Sequence, residues 1–178
     1  MISRFLTNYL IQKYASHFSA LVEKNDGLIK LMRVIVRSLN QDREEFDLQD
    51  HYQRKTYQTI SEIRDLLNSS FHLESAVVKM VKFSDDLKEK FNNDDFMVKV
   101  DYVLSQSGDE AGDIVSSFMS GELHDNIFGN LKHVFKWLND PNAMHNHFNL
   151  IEFAKTAEHE LQKYLYLMSI FDSLLEND

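Results

Sequence analysis

The sequence predicts an all-α fold: a single-domain bundle of about six to seven helices that ends in a long C-terminal helical hairpin. Three observations predict it. Five glycines and one proline in 178 residues leave few points at which a helix must stop. Apolar residues recur at three- and four-residue spacing along most of the chain. No stretch shows the period-two alternation of a strand. With 43% apolar and 12% aromatic residues, the chain can bury one core without disulfides.

The first helix carries Ile2, Phe5, Leu6, Tyr9, Leu10, Tyr14, Phe18 and Leu21 on one face. Asn25-Asp26-Gly27 is expected to break it, with Asp26 capping a second, short helix. That second helix places Leu28, Leu31, Met32, Ile35 and Leu39 together, and Ile29, Val34 and Val36 off that face suggest burial on several sides. Asn40 to Asp47 reads as a charged connection. A third helix follows over about Leu48–Leu67, with Tyr52, Ile60, Ile63 and Leu67 as its apolar line. Asn68-Ser69-Ser70 makes a turn and a cap. The fourth helix lines up Leu73, Ala76, Val77, Met80, Leu87 and Phe91 opposite a charged face. Asn92-Asn93-Asp94 separates it from a short fifth helix with Phe96, Met97, Val100 and Leu104, which ends at Ser105-Gln106-Ser107-Gly108.

Residues 109–178 read as the hairpin, and residues 1–108 as the N-terminal helices of the same domain. The hairpin's first arm is expected over Asp109–Leu138, its turn at Asn139-Asp140-Pro141-Asn142, and its second arm over about Asn146–Leu175. Ile151, Ala154, Ala157, Leu161, Tyr164, Leu165, Met168, Phe171 and Leu175 point inward on that arm.

Charge is uneven. Residues 1–40 hold six basic and two acidic groups, a net of +4, and the remaining residues hold 13 basic and 26 acidic groups, a net of −13. An acidic surface repels nucleic-acid phosphates and suits a protein partner with a basic surface. The first ten residues lack the apolar run of a signal peptide, and no window has the length of apolar residues that spans a bilayer. The expected setting is the cytoplasm, with neither nucleic acid nor membrane as partner.

Most familiar chemistry is set aside by what the chain does not contain. It has no cysteine, phosphate-cradling glycine loop, nucleophile elbow, paired-histidine zinc helix or calcium loop. One segment stands out, Gly121-Glu122-Leu123-His124-Asp125-Asn126-Ile127-Phe128-Gly129-Asn130-Leu131. It resembles the phosphoacceptor helix of bacterial sensor histidine kinases, where Glu-Leu-His-Asp is followed by apolar residues three and seven positions after the histidine. Ile127 and Leu131 occupy those positions. The resemblance covers about a dozen residues and implies that His124 accepts a phosphoryl group, with Asp125 as its acid–base neighbour. A neutral imidazole is a competent nucleophile, and an adjacent carboxylate orients it or takes its proton. Gly121 stands where that family usually carries a basic residue. No kinase domain follows, so the resemblance implies a phosphotransferase or a phosphate-receiving decoy.

A second resemblance uses the same dipeptide. Phosphohydrolases of the HD superfamily place a histidine, a His-Asp pair and a distant aspartate around a metal, and His72, His124, Asp125 and Asp172 occur here in that order. The remaining histidines suggest less. His133, His145 and His147 flank the hairpin turn and are placed to converge on a divalent ion, although alternate spacing in a loop more often means solvated side chains. His17, His51 and His159 are isolated. Tyr164, Tyr166 and Trp137 either pack the core or anchor an interface.

The leading expectation is therefore a small acidic cytosolic regulator that works by binding another protein, as inhibitors, immunity proteins and adaptors do, with no cofactor. The alternatives are histidine phosphotransfer at His124 and, less favoured, an HD-type metal phosphohydrolase. The 109–175 hairpin is also a candidate surface for homodimerisation as a four-helix bundle.

Overall fold

The computed structural model describes residues 4–41, 47–90, 94–105, 110–140 and 147–176, with side chains from residue 19 to 173 within those segments except at 94, 103, 104, 147 and 148. Among the described residues there are seven helices and no strand: α1 (Arg4–Leu39), α2 (His51–Leu67), α3 (Leu73–Lys90), α4 (Asp94–Ser105), α5 (Glu110–Met119), α6 (Glu122–Asn139) and α7 (His147–Glu176). The expected all-α bundle is what the chain forms. No helix is long and apolar enough to cross a membrane, among the described residues.

Two boundaries differ from expectation. Asn25-Asp26-Gly27 does not break α1, which runs as one helix of 36 residues. Three poor helix formers in a row cost roughly 2 kcal/mol relative to alanine. The cost is offset because Leu21, Asn25, Leu28, Met32, Ile35 and Leu39 form one unbroken stripe at four- and three-residue spacing, every member buried. Conversely, the expected first arm of the hairpin is split. α5 ends at Met119 and α6 begins at Glu122, with Gly121 between them at φ 83°.

Elsewhere the expected turn and cap at Asn68-Ser69-Ser70 is in place, and α2 gains an N-cap beyond expectation. Asp50 caps α2, accepting from the Tyr52 and Gln53 amides, so that helix begins three residues later than Leu48. Asn68 closes α2 by donating to the Arg64 carbonyl and opens α3 by accepting from the Leu73 amide. The segments at 92–93, 106–108 and 141–142, expected as connections, lie outside the described residues, as does most of the one between α1 and α2.

α6 packs along α7, α1 lies against α3 and α6, α2 covers α7, and α4 sits beside α5 and α1. α6 and α7 run antiparallel, since His133 stacks on Phe153 while His124 meets Tyr164. Buried side chains from all seven helices belong to one apolar cluster. At its centre Phe83, Phe96, Phe118, Tyr164 and Phe171 join α3, α4, α5 and α7, with ring centroids between 5.4 and 6.0 Å apart. Trp137 and Tyr164 are fully buried, so neither anchors an interface; Tyr166 is exposed. The apolar face of the α6–α7 hairpin is covered by α1, α2 and α5 of the same chain.

Candidate functional site

His124 is placed by the start of α6. Gly121 adopts the left-handed conformation that glycine takes at little cost, and its amide bonds the Phe118 carbonyl to finish α5. Its carbonyl accepts from the Asp125 amide and so opens α6. Glu122 and Asp125 then lie in the first turn, where acidic groups complement the helix dipole. A Cβ at 121 would also stand 3.0 Å from Lys24 Nζ, close enough that the lysine would have to shift from its place beside Asp125.

The two members of the His-Asp pair face opposite ways. His124 is 1% exposed and turns into the core, where its ring lies 5.1 Å from Phe118 and 5.3 Å from Tyr164. Asp125 turns to solvent, and Lys24 Nζ donates to both its carboxylate oxygens, at 2.8 and 2.9 Å. Both partners are well exposed, so the pair fixes register more than it stabilises. The hydrogen-bond partner of Asp125 is Lys24, not the neighbouring imidazole.

The partner of His124 is Asn25, in the middle of α1. Asn25 Oδ1 lies 3.4 Å from His124 Nε2 and also accepts from the Tyr164 hydroxyl. Asn25 Nδ2 donates to the Met80 carbonyl at 3.4 Å. One buried amide thus ties α1 to α3, α6 and α7. Because Asn25 Oδ1 has only lone pairs to offer, it selects the tautomer with hydrogen on Nε2. Nδ1 is then a buried acceptor without a partner among the described residues. Burial first, and Lys24 second, push the His124 pKa from 6.5 down to about 4, against a smaller opposing effect of Asp125. Burial likewise holds the Tyr164 hydroxyl well above its ordinary value. Next along α1, Asp26 accepts from Ser84 at 3.2 Å and faces Lys88 at 3.7 Å.

The HD-type set is not brought together. His72 is exposed beside the α2–α3 turn, His124 is in the core, and Asp172 is exposed on α7 near Lys79, Lys82 and Asp86. The carboxyl of Asp86 is raised, mainly by burial, with Lys82 opposing and Asp172 adding to it. Among the described residues no group of three or more acidic, histidine or cysteine side chains is disposed to hold a metal. His133 is exposed and stacks on Phe153 at 4.2 Å, while His145 and the side chains of His147 and His17 lie outside what is described. His51 and His159 are exposed.

Asn25, Lys24 and Tyr164 have no place in a reading built on the His-Asp dipeptide, and Gly121 enters it only as a departure from the family's basic residue. The signal for Asn25 was present: a single polar residue in an otherwise apolar stripe marks a buried polar contact.

The surface holds a different feature. A groove of about 700 Å³ lies between the C-terminal third of α1 and the start of α3, lined by Arg33, Val36, Arg37, Glu74 and Val77 among others. No family model matches the chain, and neither the curated proteins nor the solved structures yield a match.

Proposed function

We propose that this chain is a non-enzymatic helical regulator that acts in the cytoplasm by binding another protein, in the manner of an inhibitor, immunity protein or adaptor. One observation carries the reading: the α1–α3 groove opens to solvent and is lined by exposed Arg33 and Arg37 together with Val36 and Val77, a composition typical of recognition sites. Exposed Tyr52, Tyr102 and Tyr166 supply further apolar area on other faces. Phosphoryl acceptance at His124 is the second reading, favoured by the Glu-Leu-His-Asp string. It requires the first turn of α6 to open, because Nε2 is engaged by Asn25 and Nδ1 is enclosed.

The test combines capture with labelling. The tagged full chain, incubated with lysate of its own cells, is expected to retain a specific protein, and His124→Gln to retain it equally. The same chain exposed to acetyl phosphate is expected to gain no acid-labile phosphate. A label at residue 124 that vanishes in His124→Gln and passes to a receiver domain overturns the binding reading in favour of phosphotransfer.

A further inference from the structure

Resting on that binding reading, we propose that the α1–α3 groove recognises an acidic amphipathic helix of a partner protein, with Arg33 and Arg37 holding two carboxylates one helical turn apart. The first ground is an imbalance of charge pairing. Lys30, Arg33 and Arg37 fall at positions i, i+3 and i+7 of α1 and are all exposed. The chain carries 28 acidic groups against 19 basic ones. Lys24, Lys88, Lys155 and Lys163 each have a carboxylate partner. Arg33 and Arg37 have none among the described residues, a condition they share with Lys30, Lys79 and Lys136; what sets the two arginines apart is that both line the groove. Among the described residues the one acid lining the groove, Glu74, accepts from the Asn40 side-chain amide at 2.8 Å and is not paired with either arginine.

The second ground is shape and polarity. Val36 and Val77 line the groove beneath the arginines, and Val78, 69% exposed, sits one turn beyond Glu74 on the same face of α3. The lining on α1 runs from Arg33 to Ser38, roughly 8 Å of helix axis or about a turn and a half, and continues over Asn40 and Gln41 beyond the helix end. A free small anion would satisfy the arginines and leave half-buried Val36 and exposed Val78 uncovered. A nucleic acid would bring an extended row of phosphates against a chain of net charge −9, whereas a short acidic helix meets only the local basic stripe, a site distinct from the acidic surface that suits a basic partner. A helix with carboxylates four residues apart and apolar residues between them matches both walls, since guanidinium groups bind carboxylates in a fixed two-point geometry.

The experiment selects from a displayed random-peptide library with the full chain as bait. Recovered peptides are then titrated, as labelled synthetic peptides, against wild type, Arg33→Gln/Arg37→Gln and Val78→Asp. Both variants change exposed positions on helices that tolerate the new residue, and circular dichroism checks that they fold. The expected result is enrichment of peptides with paired Glu or Asp among apolar residues. Affinity should fall roughly tenfold or more in the double variant, and in parallel when the peptide's acids become Gln. Peptides that bind the double variant as well as wild type overturn the groove assignment while leaving the binding reading in place. Peptides without acids overturn the carboxylate chemistry. If no peptide is enriched and sedimentation shows a dimer that the double variant dissociates, the occupant is a second copy and the proposal fails. If the chain neither enriches peptides nor captures a cellular protein, both readings fail together.

Discussion

At the scale of single residues, the informative group is the Asn25–His124–Tyr164 cluster. A neutral imidazole is the form its surroundings accept, since a proton on Nδ1 would place a charge against Phe118 with no acceptor in reach. This has a definite consequence for stability. In the unfolded chain the residue takes up a proton near pH 6.5, and in the folded chain only near pH 4. Between those values the unfolded state binds more protons, so stability is full above pH 6.5 and is lost as pH falls towards 4. The expected loss between pH 7.5 and pH 5 is about 2 kcal/mol. Urea melts at the two pH values check it, read as the difference between wild type and His124→Gln, so that other carboxylates cancel. An identical pH dependence in the two proteins would mean that residue 124 is solvated in the native state. The sequence shows part of this cluster. Residues 124, 127, 131 and 134 share a three- and four-residue spacing, which argues for a half-buried histidine. The partner lies 99 residues away, and only the crossing of α1 over α6 brings it near.

At the scale of elements, the lesson lies in two glycine-containing segments with opposite outcomes. Asn25-Asp26-Gly27 has the local preference of a turn, yet the apolar stripe passes through it in register, and tertiary burial prevails. Ser120-Gly121 looks milder, yet the chain breaks there. The number of helices matches expectation because one break moved from residue 26 to residue 120. Propensity is local and short, whereas the continuity of a stripe sums over several turns, so the stripe is the stronger guide in α1. In α5–α6 the stripe misleads, since Met119 and Leu123 keep helical spacing across a left-handed residue. Substitution separates the two cases. Gly27→Ala puts a methyl where nothing stands within 4 Å, inside a continuous helix, and should stabilise by about 0.5–1 kcal/mol. Gly121→Ala imposes positive φ on a residue with a Cβ and presses on Lys24, and should destabilise by about 1–2 kcal/mol. Thermal or urea midpoints of the two variants are the measurement. Destabilisation by Gly27→Ala would indicate a turn at that position and a divided α1.

For the whole molecule, the arrangement of the core decides how it should come apart. The sequence already separates residues 1–108 from a hairpin at 109–178, which raises the question of whether these unfold as two units. Packing argues for one. Phe171 of α7 touches rings from α3, α4 and α5, and Asn25 of α1 is bonded to α6 and α7, so neither half keeps its apolar face covered if the other leaves. Loss of a unit would expose much of a continuous cluster at roughly 25 cal/mol per Å², against a total stability of about 5–15 kcal/mol. The chain carries its own reporter, since its one tryptophan, Trp137, is fully buried near the end of α6, inside the hairpin. Its emission reports the hairpin, while far-ultraviolet ellipticity reports all seven helices. The two signals are expected to follow one urea transition with a common midpoint and slope. Phe171→Ala should shift both together, by about 3–5 kcal/mol, because the ring it removes belongs to both halves. If tryptophan emission changes at lower urea than ellipticity, or if Phe171→Ala moves one curve and not the other, the hairpin folds independently. The contacts of α1 and α3 with it would then be docking between units and not a shared core.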